Sequence, residues 1–163
     1  MAEIRSQESA ASELTLPAFG RIEARRVVAT DELFAVIRDG FPVSPGHLLI
    51  IPRRAVQRFA ELTEAEKAGL MHWVTRAQEF LSQNAERPPD GFNLGVNDGP
   101  AAGQTISQFH FHLIPRYAGD VVDPRGGIRC VVPTKARYWV KEYPAHHLYR
   151  QFRVPPRRAS KHQ

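Results

Sequence analysis

Residues 103–116 read GQTISQFHFHLIPR, and from Gln108 to Leu113 polar side chains alternate with large apolar ones. Successive side chains of a strand point to opposite faces, so this alternation predicts a strand over 106–114 with one face on a core. Phe109, Phe111 and Leu113 form the core side, and Gln108, His110 and His112 line the other. Neighbours on one strand face stand about 6–7 Å apart. Imidazole titrates near neutral pH and serves as nucleophile, acid–base group or metal ligand. Two imidazoles and a carboxamide on one polar face mark a candidate reaction centre.

The rest of the chain supplies partners for that strand. Leu33 to Arg38 reads as a short strand, Phe41-Pro42-Val43-Ser44-Pro45-Gly46 as a turn, and His47 to Pro52 as a strand buried on both faces. Thr63 and Glu66 have the capping-box spacing, and Leu70, Val74, Ala77 and Leu81 recur at helical spacing. Asn84 and Pro88-Pro89 end that helix. Phe92 to Val96 reads as a strand, and Asn97 to Gly103 as a loop. Hairpin-length connections around one main helix predict an α+β fold: a mostly antiparallel sheet of about five strands, one main helix and short helices. Residues 1–15 read as a mobile terminus, 16–140 as one domain, and 141–163 as a basic, partly disordered extension.

The charge of +5 comes from the end of the chain. Arg150, Arg153, Arg157, Arg158 and Lys161 stand among no acids, and removing these five from the 22 basic residues leaves 17 against 17 acidic ones. A neutral body with a basic tail argues against a nucleic-acid partner. The longest aliphatic run, Leu48 to Ile51, is too short to span a bilayer, and the first residues show no signal-like apolar region. Cys130 is the single cysteine, so no internal disulfide forms, which suits a reducing, cytoplasmic setting. Its apolar surroundings predict an inert buried thiol. His72 and the His146-His147 pair read as surface residues.

Three stretches together resemble the histidine-triad (HIT) superfamily of nucleotide hydrolases and transferases. They are Gly103-Gln104 ahead of QFHFHLI, the DGFPVSPGHLLIIPRRAVQRFAELT segment (39–63), and NDGPAAGQT (97–105). The chain resembles bacterial diadenosine-tetraphosphate-hydrolase-like members through LIPRYAGD and DPRGGIR. There are two departures. Gln108 stands at the first triad position; it can bond a phosphate or leaving-group oxygen but cannot transfer a proton. Pro17-Ala18-Phe19-Gly20 stands where many relatives carry a zinc-binding Cys-x-x-Cys, so no metal is expected there.

The resemblance implies hydrolysis or nucleotidyl transfer at the α-phosphate of dinucleoside polyphosphates or nucleoside phosphoramidates. It assigns His110 as the nucleophile forming a nucleotidyl-histidine intermediate. His112 orients that ring, His47 supports the site, and Gln108 completes the catalytic set. Asp39 is expected on the ribose hydroxyls, and Asn97, Gln104 and Thr105 near the phosphates. Phe34 or Ile37 would stack on the base. Asp39 before Gly40 and Asn97-Asp98-Gly99 equally fit plain turns. No cofactor is required, Mg2+ could accompany the substrate phosphates, and a homodimer is expected. Two other functions fit the same residues: a nucleotide-binding sensor or scaffold with weak turnover, and a metal enzyme using His110, His112 and His47 as ligands.

Overall fold

The computed structural model describes residues 14–136. Residues 14–122 and 123–136 belong to two compact units. The first opens with a hairpin of two three-residue strands, β1 (Leu14–Leu16) and β2 (Gly20–Ile22). A strand therefore stands where a mobile terminus through residue 15 was expected. Five strands follow: β3 (Val27–Thr30), β4 (Phe34–Arg38), β5 (Leu48–Pro52), β6 (Gly91–Gly95) and β7 (Phe111–Arg116). They pair antiparallel in the order β3-β4-β5-β7-β6, as the connection lengths predict.

Helix α1 (Glu64–Asn84) begins at the predicted capping box. Thr63 Oγ1 accepts the Glu66 N–H, and Glu66 Oε2 accepts the Thr63 N–H, so two otherwise orphaned donors are satisfied. Arg54 grips the same carboxylate with two nitrogens, at 3.0 and 2.7 Å, and this holds Glu66 down at about 2. The predicted stripe of Leu70, Val74, Ala77 and Leu81 is buried, and Trp73 joins it. The Trp73 indole N–H donates to Asp31 Oδ2 at 2.7 Å, giving the polar end of a buried ring a partner.

The sheet separates two cores. On the helix side, Phe34, Val36, Leu48, Ile50, Phe109 and Leu113 pack with Leu70, Trp73 and Leu81. On the other side, Ala35, Ile37, Leu49 and Ile51 lie under Leu14, Leu16 and Ile22 of the β1–β2 hairpin. Period-two alternation along β4 and β5 thus feeds both cores, which is why these strands read as unbroken apolar runs. The β4–β5 ladder continues past the strand ends, where Asp39 N–H donates to His47 C=O at 3.0 Å. The turn between them needs Gly46: its φ is +82°, and a Cβ there would stand 3.1 Å from Leu81 and 3.3 Å from Pro115.

The second unit, over its described residues, holds one 3-10 segment, Gly127–Val131, and a short helix, Pro133–Ala136. Cys130 is exposed there, against the expected burial, because the apolar run forms a 3-10 segment whose Ile128 and Val131 also face outward. The basic extension and His146-His147 lie outside the described residues. No described helix is long and apolar enough to cross a membrane.

Candidate active site

The imidazoles gather on the sheet face that carries the β1–β2 hairpin. His112 sits in the middle of the sheet, opposite Leu49 of β5 and Gly95 of β6. His110 lies one residue ahead of β7, because the strand starts at Phe111 and runs through Pro115 to Arg116 instead of covering 106–114. Phe109 and Leu113 still pack in the helix-side core with Phe111 against it, so the apolar side of the alternation holds. The rings of His110 and His112 are 5.1 Å apart at 69°, and those of His112 and His47 are 5.3 Å apart.

Backbone groups set which nitrogen of each ring carries the proton. His110 Nδ1 lies 2.7 Å from the main-chain oxygen of Gln108, which can only accept. Nδ1 is therefore the protonated nitrogen, and a neutral ring keeps its lone pair on Nε2. On His47, the Val43 N–H donates to Nδ1 at 3.4 Å, which leaves the proton on Nε2. That Nε2–H points to His112 Nδ1 at 3.0 Å, with Asp39 Oδ2 at 3.5 Å. His112 then carries its proton on Nε2, a buried donor with no partner among the described residues. Burial is the larger effect on His47 and lowers its pKa against the pull of Asp39. Burial, with the charges of His110 and His47, lowers His112 to about 4. Both rings of this pair are thus neutral near pH 7.

Asp39, His47 and His112 bring three potential metal-ligand atoms within 4.8 Å of one another. A metal would need the lone pair of His47 Nε2, and the Val43 N–H places a proton on that atom. As hydrogen-bonded, the three form a chain in which His47 Nε2–H faces His112 Nδ1, and a metal would have to displace that contact.

The remaining expected residues divide. Asn97, two residues beyond β6, and exposed Thr105 make no side-chain hydrogen bond among the described residues, so their polar atoms are free for a ligand. Asp39 Oδ1 accepts the Phe41 N–H at 2.7 Å, which is the turn reading, yet each carboxylate oxygen keeps a second lone pair. Gln104 staples its own loop: Oε1 accepts the Gly99 N–H at 2.9 Å, and Nε2 donates to Gln57 C=O at 3.0 Å. Glycine suits position 99 because its φ is +108°, a conformation that L side chains rarely adopt.

Three placements correct the expectations. Gln108 is 1% exposed, so its carboxamide is closed off from solvent. Its Oε1 accepts the Ala18 N–H at 2.9 Å, and its Nε2 donates to Pro52 C=O at 2.8 Å and Arg54 C=O at 3.4 Å. The carboxamide is spent on backbone groups that the residue pattern does not reveal. Phe34 is fully buried in the helix-side core against Gly69, so it offers no ring to a base. Ile37 is fully buried beneath the hairpin and offers no stacking surface.

Sequence reasoning missed Phe19, whose ring meets His110 edge-on at 5.4 Å and 86°. Its only signal was the proline–glycine bracket of a tight turn. A cavity of about 870 Å3 opens at the C-terminal end of α1, lined by Arg38, Phe80, Asn84 and Tyr117 among others. None of the imidazoles lines it.

Comparison with known proteins matches the chain to a family. Residues 21–119, more than half of the chain, match the family model of the HIT domain. An AP-4-A phosphorylase of Mycobacterium tuberculosis is 38% identical over 95 residues, covering 58% of this chain and 48% of the phosphorylase. This chain thus spans about half the length of that relative. The bifunctional bis(5'-adenosyl)-triphosphatase/adenylylsulfatase FHIT of Arabidopsis thaliana is 34% identical over 122 residues, 74% of this chain and 67% of its own length. The crystal structure of the Caenorhabditis elegans NitFhit protein superposes with a TM-score of 0.62 at 31% identity, covering 79% of this chain and 29% of that one. The ordered motifs, the antiparallel sheet on one helix and the family match agree, and the chain belongs to the HIT family.

Proposed function

We propose that this protein hydrolyses or transfers at the α-phosphate of dinucleoside polyphosphates, with His110 as the nucleophile. The observation that carries this reading is the 2.7 Å bond from His110 Nδ1 to the Gln108 carbonyl, which leaves the Nε2 lone pair for attack. In the first step Nε2 bonds to phosphorus, and the phosphorus–oxygen bond to the leaving phosphate breaks with its electron pair on that oxygen. The ring becomes cationic, and the Gln108 carbonyl, already bonded to Nδ1–H, stabilises the new charge. Water then attacks phosphorus and loses a proton to solvent. The phosphorus–nitrogen bond breaks, and the electron pair returns to Nε2.

The unpartnered Nε2–H of His112 is a donor beside His110 for a phosphate oxygen, and its orientation is backed by His47 and Asp39. Asn97 and Thr105 supply neutral groups around the phosphates, and Asp39 has lone pairs for the ribose hydroxyls. A homodimer belongs to the same reading, and light scattering in solution reads it directly.

The test is a substrate panel of diadenosine polyphosphates, adenosine phosphoramidate and nucleotide sugars, scored by mononucleotide release with and without a chelator. Release that survives chelation is the expected result. Nucleotide binding without release from any member would leave the sensor reading in its place.

A further inference from the structure

We propose that Gln108 is the positioning residue of His110, acting through the β1–β2 turn, and that it touches no substrate. This rests on the reading of His110 as nucleophile, and it deepens that reading. One residue reaches the ring by two routes. Its main-chain carbonyl holds Nδ1 at 2.7 Å and fixes the tautomer. Its side chain ties three separated backbone groups together: Ala18 N in the hairpin turn, Pro52 O at the end of β5, and Arg54 O just beyond.

The tie matters because the next residue after Ala18 is Phe19, whose ring stands perpendicular against His110. Phe19 and His112 contact the His110 ring at centroid distances of 5.4 and 5.1 Å. A ring held by one hydrogen bond can still turn about that bond, so packing contacts must set its plane. The hairpin strands are only three residues each, too short to hold their own turn firmly. The carboxamide supplies what they lack, a buried cross-link between the turn and the sheet.

The chemistry of the position is specific. It takes one acceptor for Ala18 N–H and donors for two carbonyls, and a glutamine supplies both. Glutamate keeps the acceptor but sets a carboxylate against two carbonyl oxygens. Leucine keeps bulk and loses every bond. A neutral histidine offers one donor and one acceptor, so it can make the Ala18 and Pro52 bonds.

The experiment uses the full chain and compares Gln108→His, Gln108→Glu, Gln108→Leu and Phe19→Leu. Three quantities are read: steady-state release of AMP from diadenosine tetraphosphate, its pH profile, and the 15N shifts of the His110 ring. Gln108→Leu and Gln108→Glu are expected to lower kcat roughly 10- to 100-fold with KM within about threefold, as small misplacements of a reacting group do. The main-chain carbonyl survives these substitutions, so the Nδ1–H tautomer should persist while the His110 ring lines shift and broaden as its plane loosens. Phe19→Leu, which leaves the clamp intact, should show the same direction with a smaller drop. Gln108→His should keep kcat within about threefold and leave the pH profile unchanged.

Leu70→Ala on the helix side controls for lost stability, and should lower the melting temperature without changing kcat per folded molecule. A faster Gln108→His enzyme with a new acidic limb would overturn the proposal, because it would place residue 108 at the reacting phosphate. Unaltered kcat and unaltered His110 ring lines in both Gln108→Leu and Phe19→Leu would overturn it too. If Gln108→Leu does not fold, Phe19→Leu and Gln108→His decide. If the wild type releases no AMP, the functional reading fails, and the 15N spectra of the same variants still test the clamp.

Discussion

The two faces of one sheet do different work with the same strands. The helix-side face is closed and apolar: Phe34, Leu48, Ile50 and Leu113 meet Leu70 and Trp73 with no exposed surface. The hairpin-side face has a smaller core of short strands, and beside it the imidazoles are oriented by backbone carbonyls and N–H groups. The first face is built from area, which is tolerant of detail, and the second from hydrogen-bond direction, which is not. Stability and chemistry are thereby separable by substitution.

The largest separation should come from His110→Ala. Turnover is expected to fall roughly 10³-fold or more, while nucleotide affinity and melting temperature stay close to wild type. Calorimetry alongside kinetics checks both halves. The mirror experiment is Leu70→Ala, expected to cost about 2–5 kcal/mol of unfolding free energy in denaturant titration. A loss of turnover per folded molecule in that variant would break the separation.

Acid titration sharpens the contrast, since the two faces lose stability in different windows. His112 is lowered to about 4 in the fold from an ordinary 6.5, so the unfolded chain binds the extra proton first. Its contribution is complete above pH 6.5 and is lost as pH falls toward 4; His47, lowered in the same direction, adds to this. Glu66, lowered from 4.5 to about 2, holds its contribution above 4.5 and loses it only below. Denaturant midpoints should therefore begin to fall between pH 6.5 and 4.5, and His112→Gln should make that part of the curve shallower while the share of His47 remains. The smallest effect expected is Thr63→Ala, which removes one cap of α1 for about 1 kcal/mol and leaves turnover unchanged.

The helix-side face was the legible one. Its stripe, its capping box and the core side of the histidine segment follow from spacing, because burial imposes the periods of helix and strand on residue type. On the hairpin-side face the grouping of the imidazoles was legible, but not the bonding of each. His110, His112, His47 and Asp39 do converge. Gln108 belongs to the same pattern, yet the strand begins only at Phe111, so alternation no longer governs where its side chain goes. It turns into backbone groups of Ala18, Pro52 and Arg54, none of which has a side-chain signature. Phe34 and Ile37 looked like base-stacking residues because an apolar residue near a site reads the same whether exposed or buried. Strands of three residues, such as β1 and β2, carry too few positions for any period to show.

Rapid quenching of the protein with diadenosine tetraphosphate in the millisecond range, followed by peptide mapping at alkaline pH, addresses His110 itself. An adenylyl group on Nε2 of His110, formed and consumed at rates that match turnover, is the predicted result. Turnover with no adduct on His110, or with the adduct on another residue, would contradict the account.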